Sequence, residues 1–184
     1  MTAVPGMSSH QRAVGAKQEW LTPPWLLSVL GQFDLDPCSP VVRPWPTADR
    51  HFTIMDDGLS MPWAGRVWLN PPYDERFISA WMERLATHEG GGTALVFART
   101  ETEWFQRWVW PKASALLFLK GRLYFHHVDG REAGNNAGAP SVLVAFGQAD
   151  AEIMRQAWAM KRVAGPFVGM KAGAWLGGVH ECAK

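Results

Sequence analysis

The sequence predicts an α/β fold with a mainly parallel sheet covered by helices on both faces. Two observations carry that expectation. Strand-like and helix-like segments alternate through the middle of the chain. The strand-like segments there are near-continuous apolar runs, as in strands buried on both faces. A chain of 184 residues has room for one such domain with a substantial core.

Residues 1–16 mix Gly, Ser, Gln and Ala without periodicity and read as a flexible lead-in; a single domain is expected over 17–165 and a Gly-rich tail over 166–184. Thr22-Pro23-Pro24 reads as a helix start with a hydroxyl cap, and WLLSVL continues it to Gly31. FDLDP (33–37) alternates apolar and acidic residues and stops at Pro37, as a short strand entering a loop does. Residues 38–60 carry four prolines or glycines and little periodicity, and loops of that size are usually functional.

VWL (67–69) is a buried strand, and a helix is expected over 74–88, with Phe77, Ile78, Trp81 and Leu85 on one face and Gly90-Gly91-Gly92 after its end. TALVFA (93–98) is a strand, ETEWFQRWVW (101–110) a helix closed by Pro111, and ALLFL (115–119) the next strand. RLYFHH (122–127) is a further strand candidate. A Gly- and Asn-rich loop (130–139) leads to the strand SVLVAFG (141–147), and residues 150–162 form the last helix.

Composition narrows the function classes. Hydrophobic residues make up 47% and charged residues 19%, values of an ordinary globular domain. The eleven tryptophans exceed that norm; most belong to core or interfaces, and some can serve as stacking surfaces. A net charge of +1 supplies no global attraction to nucleic acid, so DNA binding needs local basic groups. Arg43, Arg50, Arg66, Arg76, Arg99, Lys120, Arg122 and Arg131 are the candidates, with scattered surface arginines as the plain alternative. Cys38 and Cys182 stand far apart without a C-x-x-C pairing, which argues against a disulfide scaffold and a structural zinc site; no metal is expected. No secretory pattern and no membrane-length apolar window occurs, so the expectation is a cytoplasmic protein without a membrane partner.

The most informative stretch is VWLNPPYDERF, residues 67–77. A buried strand ends in Asn70-Pro71-Pro72-Tyr73. Proline lacks a donor but keeps its carbonyl, and a residue preceding proline is held extended. The result is a stiff rim of acceptors, the Asn70 side-chain oxygen and the Pro71 carbonyl, beside the flat ring of Tyr73. Two acceptors suit the two N–H bonds of an exocyclic amine, whose lone pair is delocalised into its ring. Drawing those hydrogens out of plane favours the tetrahedral nitrogen of the transition state. A strand-ending turn is the alternative, because Asn-Pro also initiates turns.

This motif, together with EWLTPPWLL, FDLDPCSP, DDGLSMPWAGRVWLNPPY, FARTETEWF and KGRLYF in that order between about residues 19 and 147, resembles the small phage-type DNA adenine-N6 methyltransferases, a Dam-like family whose catalytic motif is Asn-Pro-Pro-Tyr or Asp-Pro-Pro-Tyr. The resemblance implies a Rossmann-like S-adenosylmethionine-dependent methyltransferase fold. It implies Asn70, Pro71, Pro72 and Tyr73 as catalytic residues, S-adenosylmethionine as cofactor, S-adenosylhomocysteine as product and double-stranded DNA as partner. For the cofactor it points to Thr22 and Pro23 in LTPP, to Asp36 and Cys38 in FDLDPCSP, and to Asp57 in DDGL. Asp34 alternates to the opposite face. Pro37-Cys38-Ser39-Pro40 stands where relatives carry a Gly-rich loop.

For the DNA the resemblance points to Arg99 and Arg122 as phosphate contacts and to Tyr124 or Phe125 as a ring covering the target base opposite Tyr73. The adenine has to leave the duplex stack to reach the site. Loops 40–55 and 128–139, the latter with His126, His127, Arg131, Asn135 and Asn136 in or beside it, are the candidates for reading flanking bases. Protection of phage DNA from restriction, in a bacterial or phage-infected cytoplasm, is the role the resemblance suggests. Two rival classes share these residues. One methylates an RNA base or a protein glutamine amide with the same motif; the other is a binding module that keeps the shape without turnover. Oligomeric state is not legible in the sequence.

Overall fold

In a computed structural model, which describes residues 19–170, the chain folds around one seven-stranded sheet in the order β2-β1-β3-β4-β6-β5-β7. In chain order the elements are α1 (Pro24–Leu30), β1 (Leu35–Asp36), β2 (Arg50–His51), β3 (Val67–Leu69), α2 (Ile78–Ala86), β4 (Gly92–Phe97), a π-helical turn (Phe105–Val109), β5 (Ala115–Phe118), β6 (Ser141–Phe146), α3 (Gln148–Ala159) and β7 (Phe167–Gly169). The expected lead-in over 1–16 and all but the first residues of the 166–184 tail, with Cys182, lie outside the described residues; Phe167–Gly169 of that tail forms β7 on the sheet edge.

Side chains alternate across the strands and sort the core into two layers. Trp68, Leu95, Leu117, Leu143 and Ala145 face Leu26 and Leu30 of α1 and Met154 of α3. Val67, Leu69, Ala94, Val96, Leu116, Val142 and Val144 face Ile78, Met82 and Leu85 of α2 and Phe105 and Val109 of the π-turn. Helices therefore cover both faces, and the period of two along each strand is what divides the layers.

The expectation of a mainly parallel sheet is corrected. β2–β1, β1–β3 and β3–β4 pair parallel, whereas β4–β6, β6–β5 and β5–β7 pair antiparallel. The sheet is mixed because β6, inserted between β4 and β5, and β7 at the edge both run in the reverse direction. An apolar run reports burial on both faces but not strand direction, so this inversion has no sequence signal of its own. The parallel neighbours β1, β3 and β4 remain the part that matters for the site. Their carboxyl ends, at Asp36, Leu69 and Phe97, open on one rim.

Other boundaries shift for local reasons. α2 starts at Ile78 rather than 74, because the Asp74 carboxylate folds back onto the Arg76 amide and guanidinium and makes a separate turn. The 101–110 segment is helical mainly through its π-turn, which directs Phe105 and Val109 into the core. RLYFHH forms no continuous strand; only His126 pairs, bridging Leu21 on one side and Glu132 on the other. Thr22 does not cap α1. Pro23 occupies the cap position without a side-chain bond, and Thr22 is buried.

Candidate active site

Above the rim lies a cleft of about 2020 Å³. A single small-molecule site takes roughly 300–1,000 Å³, so this cleft has room for two ligands side by side. Three neighbouring strand ends supply its floor: the loop after β1 brings Asp36 and Cys38, the loop after β3 brings Asn70 to Tyr73, and the end of β4 brings Phe97 and Arg99. Thr22 and Phe125 line it as well.

Asn70 follows directly on the buried β3. Its amide nitrogen donates to the Trp20 carbonyl at 3.2 Å. Its side-chain oxygen is buried and has no hydrogen-bond partner among the described residues. Buried acceptors are nearly always paired, so one left open on a cleft wall is where a donor from a ligand belongs. The backbone carbonyl of Asn70 accepts from the Cys38 thiol at 3.3 Å. Pro71 is buried beneath it and lines the same wall.

Tyr73 lies flat on Phe97, with ring centroids 3.9 Å apart and planes 11° from parallel. Its hydroxyl donates to the Leu95 carbonyl at 3.3 Å. Burial raises the phenol above its ordinary value, so it stays protonated. With one face taken by Phe97, a planar ligand can use only the other face of the tyrosine ring. Phe97 is the partner that sequence reasoning missed, since TALVFA reads only as a strand.

Asp36 is 3% exposed, yet it is an acid inside a protein. The Thr47 hydroxyl donates to one carboxylate oxygen, and the Cys38 amide donates to the other at 3.1 Å. Burial outweighs both bonds and pushes its pKa up to about 6. Cys38 is likewise pushed up, by burial and by the neighbouring Asp36, so it remains a thiol. Thr47 had no sequence signal beyond its place in a long loop. That loop is ordered around it: His51 accepts from the Thr47 and Ala48 amides at 3.2 and 3.3 Å.

Asp57 is exposed at the cleft mouth in the left-handed region, φ 52, and its carbonyl takes the Ser60 amide and hydroxyl. Asp57-Gly58 thus forms a turn that also lines the cleft. Glycine is required next to it, because a Cβ at Gly58 would stand 1.8 Å from the Pro37 carbonyl oxygen. That contact brings Asp57 against the Asp36–Cys38 turn. Asp34 turns away, accepting the Arg66 amide at 2.6 Å.

The remaining predicted residues divide. Thr22 lines the cleft with a buried hydroxyl that has no partner among the described residues, whereas Pro23 does not line it. Phe125 is buried and lines the cleft; Tyr124 and Arg122 are exposed and lie off it. Loop residues Asn135 and Asn136 and His127 reach the opposite wall, and Arg131 instead pairs with Asp129 outside. Among the described residues Arg99 is the only lysine or arginine in the lining, which also holds Glu19, Asp36, Asp57, Glu75 and Glu103, and it pairs with Glu75 at 3.7 Å. Of the other basic candidates, Arg43, Arg50, Arg66 and Arg76 bond within the fold, to Pro40, Ala64, Asp150 and Asp74. Lys120 and Arg122 are exposed without an ion pair among the described residues. No group of metal-ligating side chains occurs among the described residues, and no helix there is long and apolar enough to cross a membrane.

The site thus joins an open buried acceptor, a flat aromatic wall and a buried carboxylate under one rim. No curated protein and no solved structure matches the chain. The family model described as DNA N-6-adenine-methyltransferase (Dam) matches residues 9–163, most of the chain and all of the strands that build the rim, and the chain belongs to that family.

Proposed function

We propose that this chain transfers a methyl group from S-adenosylmethionine to the N6 amino group of an adenine turned out of double-stranded DNA. The observation that carries the reading is the buried side-chain oxygen of Asn70 after β3, which has no partner among the described residues. It accepts one N–H of the amino group, and the Pro71 carbonyl accepts the other. Both pull the hydrogens away from the ring plane and free the nitrogen lone pair, an interaction stronger in the transition state than in the ground state. Tyr73, backed by Phe97, covers one face of the base, and Phe125 stands across the cleft.

The residues present fit the cofactor. Asp36 accepts from an ammonium or a ribose hydroxyl, the unpartnered Thr22 hydroxyl offers a further polar contact, and Asp57 at the mouth accepts from an amino group. The rigid Pro37–Pro40 turn does the work of a Gly-rich loop by presenting its backbone, held close to Gly58. When bound, S-adenosylmethionine supplies an activated methyl. Asn70, fixed by the Cys38 thiol on its carbonyl, orients the amino nitrogen toward it. After the new bond forms the cationic amino nitrogen passes its extra proton to solvent water, so no ionised base is needed for the attack itself. Extracting the base costs a few kcal/mol, which stacking on Tyr73 offsets. Lys120 and Arg122 are the exposed side chains available for phosphate, and Arg99 reaches phosphate by exchanging its surface ion pair with Glu75 at 3.7 Å.

A tritiated-methyl transfer assay offering unmethylated duplex DNA, RNA and protein side by side tests this reading. Label in N6-methyladenine of the DNA is expected. Label confined to RNA or to protein glutamine contradicts it, and no transfer alongside no heat of binding for S-adenosylhomocysteine would mark a non-catalytic module.

A further inference from the structure

Residues 19–22, just before α1, form a strap along the cleft wall. Leu21 is buried and exchanges two backbone hydrogen bonds with His126, each 2.9 Å. The Thr22 carbonyl accepts from the Trp45 indole at 3.2 Å, and that indole meets the His126 ring edge-on. The Trp20 ring packs against His127 at 5.2 Å. The Trp20 carbonyl is thereby held between fixed neighbours, and it is this carbonyl that receives the Asn70 amide nitrogen.

We propose that the Trp20 backbone carbonyl is a positioning group that locks the Asn70 carboxamide with its oxygen toward the substrate, and that the strap thereby demands an amide rather than a carboxylate at position 70. The inference rests on the reading of Asn70 as the acceptor for the target amine. A carbonyl offers only lone pairs, so it can face only the donor end of the carboxamide. Rotating the amide by half a turn sets two oxygens against each other at about the 3.2 Å now spanned by a hydrogen bond, and it leaves the amide nitrogen aimed at an amine that is itself a donor. One orientation satisfies both sides.

An aspartate at position 70 has no donor when ionised, and its second oxygen then opposes the Trp20 carbonyl. In the protonated acid the hydroxyl donates to Trp20 and the carbonyl oxygen faces the substrate, which restores the native pattern. The ionisable groups lining the same cleft are Asp36 at the end of β1 and Cys38 after it, Asp57 before β3, Glu19 from the strap, Tyr73 and Glu75 after β3, Arg99 and Glu103 after β4, and His127, whose ring packs on Trp20. Their own titrations affect wild type and variant alike, so the informative quantity is the ratio of the two activities at each pH.

Methyl transfer into duplex DNA by Asn70→Asp and by wild type is measured from pH 5 to 9. At pH 8 the variant is expected to lose on the order of 10²–10³-fold in kcat, the effect of one oriented polar group, and the ratio to wild type climbs as the pH falls. A ratio near one at pH 8, or one that does not change with pH, overturns the lock. Side-chain amide NMR of the wild type gives a second readout that needs no folded variant. One Nδ2 proton of Asn70 is expected to exchange slowly with solvent, and a pair exchanging as freely as a surface asparagine overturns the inference. Wild-type turnover in Asn70→Ala refutes the catalytic reading itself, whereas an inactive Asn70→Ala beside a fully active Asn70→Asp refutes the lock alone.

Discussion

The thiol of Cys38 donates to the backbone carbonyl of Asn70 at 3.3 Å and ties the loop after β1 to the loop after β3. The same residue gives its backbone amide to the Asp36 carboxylate. One side chain thus sets the spacing between the two polar groups on which the site depends. Cys38→Ala removes the tie while leaving the core intact. It is expected to cost about 0.5–1.5 kcal/mol in stability and to lower kcat, with Cys38→Ser restoring most of both because a donor returns. Urea unfolding and steady-state methyl transfer check this pair, and identical kcat values in Ala and Ser variants speak against the tie.

Asp36 is held at a cost to folding. Its folded pKa of about 6 lies above the unfolded value of 3.8, so its stabilising contribution is fully present below pH 3.8 and is lost as the pH rises through 6. At pH 8 the ionised, buried carboxylate destabilises the free protein. Asp36→Asn is expected to raise its stability by up to about 3 kcal/mol at that pH and to weaken S-adenosylhomocysteine binding at the same time. Calorimetric titration and thermal melts at pH 8 read the two effects, and an unchanged affinity would remove Asp36 from the cofactor site. In the wild type, affinity is expected to fall below about pH 6, where the carboxylate takes up a proton.

His51 has the opposite sign. Burial lowers its pKa from 6.5, and its ring nitrogen accepts the Thr47 and Ala48 amides only while unprotonated. The unfolded chain therefore takes the proton first. The stability due to His51 is present above pH 6.5 and is lost as the pH falls through the lower folded value. His51→Gln is expected to flatten the fall of stability with pH below 6.5 relative to wild type, measured by denaturant unfolding at several pH values. An unchanged slope would show that the imidazole does not hold the turn that presents Thr47 to Asp36.

Tyr73 stacks through its ring and bonds through its hydroxyl, and the two contributions separate by substitution. Tyr73→Phe loses only the bond to the Leu95 carbonyl, about 1 kcal/mol of stability, and keeps DNA affinity. Tyr73→Ala loses the wall against the base, roughly 1–3 kcal/mol of DNA binding. Fluorescence anisotropy with an adenine-bearing duplex compares them, and equal losses in both would count against stacking.

What could be read from the sequence follows from which interactions are local. Asn70 and the two prolines announce a strand end with acceptors, and the apolar runs at 67–69, 94–97 and 142–146 announce buried strands. Asp36 stood out through the family resemblance of FDLDPCSP and its place at the end of a strand. The partners that complete the site come from far along the chain: Trp20 is 50 residues from Asn70, Thr47 is 11 from Asp36, and the Cys38–Asn70 tie spans 32. Periodicity carries no such contacts. It also carries no strand direction, which is why β6 was expected in parallel register although it runs in reverse. Thr22 shows the limit of local rules. A hydroxyl before Pro-Pro reads as a helix cap, but the strap pairing of Leu21 buries it over the cleft instead.

The most direct test is Asn70→Ala, assayed for methyl transfer into adenine of duplex DNA and for S-adenosylhomocysteine binding in one preparation. Transfer is expected to fall at least on the order of 10²-fold while affinity for the cofactor product stays at the wild-type value. Transfer at the wild-type rate would contradict the account, because the acceptor at the end of β3 would then have no part in the reaction.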